Sequence, residues 1–173
     1  MSAAVQVALL PGVWALLPRY ASLDDPVADL RAACLEAVAE LGPRVRVVSS
    51  DGAGFEVCSA LVSACGGETV VDDETGLVVV GNGSAKRTEK APGHLDERAE
   101  AFDAAIGRAL RGDLDALERI DQTLARELWA DTGQLAGLVS HAGASGVDLA
   151  TCEARVLYDD DPYGVQYWVM RWE

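Results

Sequence analysis

The sequence is short of the residues that build the common reactive centres. Histidine occurs twice in 173 residues, as His94 and His141. Neither belongs to an H-x-x-x-H or H-E-x-x-H pair, so a metal site using them needs distant partners. The four cysteines, Cys34, Cys58, Cys65 and Cys152, include no C-x-x-C pair. Three of them fall inside apolar patterns, where a thiol behaves as a small hydrophobe, and a reducing compartment suits them. The chain also lacks a G-x-S-x-G elbow and a G-x-x-x-x-G-K-[ST] phosphate loop. Positive charge is scarce: Lys+Arg 14 against Asp+Glu 28 gives a net of -14, a surface that phosphate backbones repel, so nucleic acid is not expected as a partner. The apolar opening from Val5 to Leu17 has no basic lead and is broken by Pro11-Gly12. It resembles neither a signal peptide nor a membrane span, and a cytoplasmic protein without membrane contact is expected. Asn82-Gly83-Ser84 matches a glycosylation sequon that would then go unused.

What is present is apolar and periodic. Half of the residues are hydrophobic, enough for the core of one domain spanning residues 1–173. Val5 to Leu10 reads as a buried strand stopped by Pro-Gly, with a loop to Asp24. Asp25 is placed to cap a helix with Pro26 at its start, whose buried stripe is Val27, Leu30, Cys34, Val38 and Leu41. Val45 to Ser49 is a second strand, followed by a helix from about Phe55 to Ala64. Thr69-Val70-Val71 and an acidic turn at Asp72 to Gly76 precede Leu77 to Val80, a continuous apolar run that predicts a central strand. After the loop Gly81 to Gly93, helical spacing resumes at Leu95, Ala99, Phe102, Ile106 and Leu110, and a shorter helix is expected from Leu114 to Ile120. Asp121 then reads as an N-cap, and Gln134 to Ala142 as the last helix. The chain closes with an alternating strand at Ala154, Val156 and Tyr158, a turn at Asp159 to Gly164, and a strand from Val165 to Trp172. The predicted fold is α/β with three layers: a mixed central sheet flanked by helices, ending in an antiparallel hairpin.

Chemistry concentrates in three loops. Gly81 to Lys90 follows a buried strand and holds both lysines of the chain, Lys86 and Lys90, beside Arg87. Such loops at the carboxyl ends of strands bind ligands in α/β proteins, and their glycines leave N–H groups open to an anion. The plainer reading is that these cations answer Glu89, Asp96 and Glu97. Ser49-Ser50-Asp51-Gly52 reaches the same edge but is also an ordinary turn. Asp131-Thr132-Gly133 lies between helices and reads by itself as an N-cap.

The run Gly81 to Asp103, G-N-G-S-A-K-R-T-E-K-A-P-G-H-L-D-E-R-A-E-A-F-D, the break Leu110-Arg111-Gly112-Asp113, and the closing segment Tyr158 to Tyr167 resemble the class III extradiol dioxygenase B-subunit family, the protocatechuate-type ring-opening enzymes. The opening strand to Pro11 and Leu17-Pro18 agree, so the resemblance spans most of the chain; the region Cys65 to Gly76 is shortened. The resemblance implies an iron held by two histidines and one glutamate, with a further histidine as acid/base. At those places this chain carries Gly12 and Asp51 for the metal-binding histidines, Asp131 for the glutamate and Lys86 for the acid/base histidine.

The resemblance therefore implies a non-catalytic or repurposed homologue. No metal ligand set and no cofactor are expected, although active relatives use ferrous iron. The expected roles are a small-molecule-binding or assembly module, taking a small anionic or aromatic ligand or forming a homo-oligomer. The expected pocket residues are Asp51, Lys86 and Asp131, with Gly12, Asn82, Ser84, Arg87 and Lys90 as ligand contacts. The alternative is a metal-dependent or acid/base enzyme of the same superfamily. In its acid/base form Lys86 orients an anionic substrate and Asp51 or Asp131 serves as general base.

Overall fold

The computed structural model describes residues 4–21 and 23–173; Ser22, in the loop before Asp24, lies outside them. Four strands run parallel: β1 (Gln6–Leu10), β2 (Arg44–Val48), β3 (Glu68–Thr69) and β4 (Gly76–Val80). β5 (Ala154–Asp160) and β6 (Tyr167–Trp172) form the antiparallel hairpin, and β6 joins it to β1. The sheet order is β3-β2-β4-β1-β6-β5. The fold is the expected mixed α/β sheet with helices on both faces. α1 (Ala28–Ala39) and α2 (Gly52–Ala64) cover one face. α3 (Ala99–Gly112), α4 (Gln122–Glu127), α5 (Gly133–Ala136) and α6 (Leu138–Ala144) pack on the other side of the molecule.

The alternation of a strand supplies both interiors. Ala8, Leu10, Val78 and Val80 join Leu30, Cys34, Val57 and Leu61 under α1 and α2, while Val7, Leu9, Leu77 and Val79 join Phe102, Ile106, Leu110 and Leu135 on the other face. Because helices cover both faces, β1 and β4 carry no polar side and read as unbroken apolar runs. Gly76 allows β4 to pass the end of α1: a Cβ there would lie 2.5 Å from the Leu41 carbonyl oxygen.

Several local expectations are corrected by stronger partners. Asp25 does not cap α1, whose N-cap position is Val27 without a side-chain bond; its carboxylate pairs with Arg31 instead. The same guanidinium donates to the Leu16 and Ala15 carbonyls at 2.7 Å each, pinning the loop after β1 to α1. α2 starts at Gly52 rather than Phe55 because Asp51 caps it, accepting from the Gly54 N–H at 2.7 Å. α3 begins at Ala99, not Leu95, since His94 has φ 60° and Asp96 engages the Arg98 backbone and guanidinium. Leu114–Arg119 is a 3-10 segment, and the last predicted helix is divided into α5 and α6 at Gly137. β3 is a two-residue edge strand at Glu68–Thr69, and β5 continues to Asp160 through the start of the expected turn. β6 starts at Tyr167 because the residues before it pair elsewhere: Gln166 exchanges bonds with Gly83 and Ser84, and Gly164 accepts from Arg87.

Candidate functional site

The carboxyl ends of β1, β2 and β4 lie side by side, so Gly12, Asp51 and the loop from Gly81 share one edge of the sheet. This is where parallel α/β sheets leave a crevice. Asp131 reaches the edge through a two-residue bridge, in which Asn82 and Asp131 exchange backbone hydrogen bonds of 3.0 and 3.1 Å. Gly81 makes that approach feasible, since a Cβ there would sit 2.9 Å from the Asp131 carbonyl oxygen.

Asp51 and Asp131 come together here. Asp131 is partly buried, and burial raises its carboxyl pKa above the ordinary value; the charge of Asp51 pushes the same way, while the Ser50 hydroxyl stabilises the carboxylate. Ser50 Oγ also lies 3.1 Å from where a Cβ would stand on Gly133, at the start of α5. Ser50 thus bridges the loop after β2 and the segment entering α5. Asp51 has committed one carboxylate oxygen to the cap of α2.

Lys86 joins a different group. Its Nζ stands 5.5 Å from the centroid of the Trp129 ring, its stem lies along Gly93, and its charge acts on Asp96. Asp96 is held down at about 2, chiefly by hydrogen bonds from Arg98. Trp129 is exposed and has φ 58°, an unusual backbone state for a bulky residue. No local pattern in the sequence marks it.

The other expected ligand contacts divide similarly. Ser84 is fully buried and bidentate with Asp103, its N–H donating at 2.8 Å and its hydroxyl at 2.6 Å. Arg87 donates to Asp161 at 3.0 Å and lies 3.9 Å from Asp103. These residues tie the loop to α3 and to the C-terminal turn. Asn82 turns its amide to the Gly83 carbonyl at 3.0 Å, and Lys90 is exposed. Asp103 sits on the buried stripe of α3 with Ala99, Phe102 and Ile106; one carboxylate on that stripe is the signal that could have found it.

Gly12 is closed to any side chain. A Cβ there would lie 2.6 Å from Gly54 Cα and 2.7 Å from Val80 Cγ1, well inside the separation of about 3.5–4.0 Å at which carbon atoms rest. Gly54 is itself packed against Ser49 and Val80, so the first turn of α2 lies tight on β1 and β4. The histidines are elsewhere: exposed His94 places Nδ1 3.4 Å from the Glu89 carbonyl, and His141 Nε2 meets Gln134 Oε1 at 2.7 Å. Among the described residues no three His, Cys, Asp or Glu side chains gather as a metal-binding group.

Tested against a ferrous centre, these donors do not fit. Gly12 supplies no atom and no room, Asp51 is half spent on a helix cap, and the Asp131 carboxylate is engaged by Ser50. The geometry can accept hydrogen bonds or a proton at Asp131 and can stack a flat group against Trp129. No family model matches the chain, and no curated protein matches it.

Proposed function

We propose that this chain is a repurposed relative of class III extradiol dioxygenase B subunits, a small-molecule-binding or assembly module without ring-opening activity. One observation carries this reading: the position that resembles the first metal-binding histidine is Gly12, and its backbone packs against Gly54 and Val80 so closely that even a methyl group displaces them. The ligand is a small anionic or aromatic molecule held between Lys86 on Trp129 and the Ser50, Asp51 and Asp131 group. The cytoplasmic location belongs to the same proposal, supported by four free cysteines; no helix among the described residues is long and apolar enough to cross a membrane.

The test is anaerobic incubation of purified protein with ferrous iron, desalting and metal analysis, beside an Asp51→Ala, Asp131→Ala double variant and a catechol turnover assay. The expected result is no retained iron and no ring opening. Near-stoichiometric iron that the double variant loses overturns the proposal. A second reading, acid/base catalysis, is favoured by the raised pKa of Asp131 beside Asp51, since a carboxyl that holds its proton more firmly than a free one is a better acceptor in proton transfer. Its sign would be turnover that Asp131→Asn abolishes with folding intact.

A further inference from the structure

We propose that this protein forms a two-fold dimer in which the β5 strands of two copies pair antiparallel and continue the sheet across the interface. The inference deepens the assembly part of the proposed function and rests on that reading for its role alone. The two edges of the sheet are unlike. β3 ends one side with two residues, whereas β5 ends the other with seven. Natural sheets keep edge strands short or covered, because an open edge offers unpaired N–H and C=O groups to another strand. β5 is neither: none of its residues is buried, and Val156 is 38% exposed.

The backbone fixes the register. Glu153 and Glu173 exchange hydrogen bonds of 2.8 and 3.1 Å. Bonded and non-bonded pairs alternate along an antiparallel ladder, so Arg171, Val169 and Tyr167 also bond toward β5, at Arg155, Tyr158 and Asp160. Val156 and Asp159 therefore turn their N–H and C=O groups outward. A two-fold axis between Leu157 and Tyr158 lets each Val156 exchange both bonds with the partner's Asp159. The bulge at Leu157 would turn the edge away from a regular strand; here it faces the partner's own bulge, and the two strands match.

The side chains agree with that register. It sets Leu157 against the partner's Tyr158, and both residues are half-buried and pack on the core beneath α1. It sets Arg155 against the partner's Asp160 at each end. These two also stand on the α1 side: Arg155 reaches Glu36, and Asp160 alternates with Tyr158. Asp160 has no ion pair among the described residues, and the Arg155 side chain is 53% exposed. The result is an apolar centre with opposite charges at its rim, the form that a self-complementary interface takes. The net charge of -14 opposes association at long range, but salt of about 0.15 M screens charges beyond about 8 Å.

The experiment is sedimentation equilibrium in about 0.15 M salt. The wild type is expected to dimerise with a Kd of about 0.1 mM or tighter. Val156→Pro removes an outward N–H and no bond to β6, and an edge strand tolerates proline at such a place. It should weaken the dimer at least about tenfold with the circular dichroism spectrum unchanged. Arg155→Asp and Asp160→Arg each set like charges against one another, so each variant alone should also weaken at least about tenfold. Mixed together they restore both ion pairs, and the two are expected to form a heterodimer at least about tenfold tighter than either alone, which misfolded variants could not do. A wild-type Kd weaker than about 0.1 mM, a dimer indifferent to Val156→Pro or to the single charge reversals, or variants that fail to pair when mixed overturns the proposal. A monomer leaves the small-molecule reading intact, and retained iron would overturn that reading without touching the dimer.

Discussion

Substituting Gly12 by alanine adds one methyl group at the closest packing point of the sheet edge. The new carbon would meet Gly54 Cα at 2.6 Å and Val80 Cγ1 at 2.7 Å. Val80 is fully buried, and Gly54 is backbone in the first turn of α2, fixed by the cap from Asp51. Neither can yield by rotating a flexible side chain into solvent, so α2 must move off the sheet. Overpacking of this kind costs about 1–3 kcal/mol. For a chain of this length each kcal/mol lowers the melting temperature by about 2–4 °C, so a fall of about 2–12 °C is expected. Thermal unfolding followed by circular dichroism measures it, with Gly143→Ala as the control. Gly143 lies within α6 with nothing inside 4 Å of a new Cβ, and alanine there should stabilise by about 0.5–1 kcal/mol. If Gly12→Ala unfolds at the wild-type temperature while the control behaves as expected, the contact is not tight. Room for a ligating side chain then exists and the argument against a metal centre loses its footing.

Ser84→Ala leaves the buried Asp103 carboxylate without its 2.6 Å hydroxyl donor and should lower stability by about 1.5–3 kcal/mol in urea unfolding; an unchanged midpoint would refute that role. The raised pKa of Asp131 means that the folded protein holds this proton more firmly than the unfolded chain. Its contribution to stability is therefore full below the ordinary value of 3.8 and is lost as pH rises through the folded value. Asp131→Asn, which can still accept from Ser50, should then be more stable than wild type at neutral pH, with the difference vanishing in acid; a difference that grows in acid would reverse the assignment. Arg31→Met removes the donors to the Leu16 and Ala15 carbonyls and the partner of Asp25, and is expected to speed amide exchange in the loop after β1 while leaving β6 protected.

The lesson of the site lies in the split of its expected residues. Gly12, Asp51 and Asp131 meet at one edge because β1, β2 and β4 end there, and a parallel sheet makes its strand ends neighbours. The resemblance places Lys86 with them, yet its ammonium lies over the face of Trp129 and beside the charge of Asp96. Ser84 and Arg87 looked available in a glycine-rich basic loop and are instead consumed by Asp103 and Asp161, residues 19 and 74 positions away. No local pattern reports such pairings, because a carboxylate on a distant helix or turn is invisible to spacing.

Periodicity alone determined the layers. Apolar runs at Val7 to Leu10 and Leu77 to Val80 require cover on both faces, and the stripes of α1 and α3 supply it, so the three-layer sheet with its closing hairpin was readable from residue order. Helix ends, the division at Gly137 and the late start of β6 were decided only by tertiary structure. There a guanidinium, a buried carboxylate or a neighbouring loop offered the backbone or a capping side chain a better partner than the local one. The closure of Gly12 by Gly54 is of the same kind: two glycines far apart in the chain become one contact only when α2 lies down on β1 and β4.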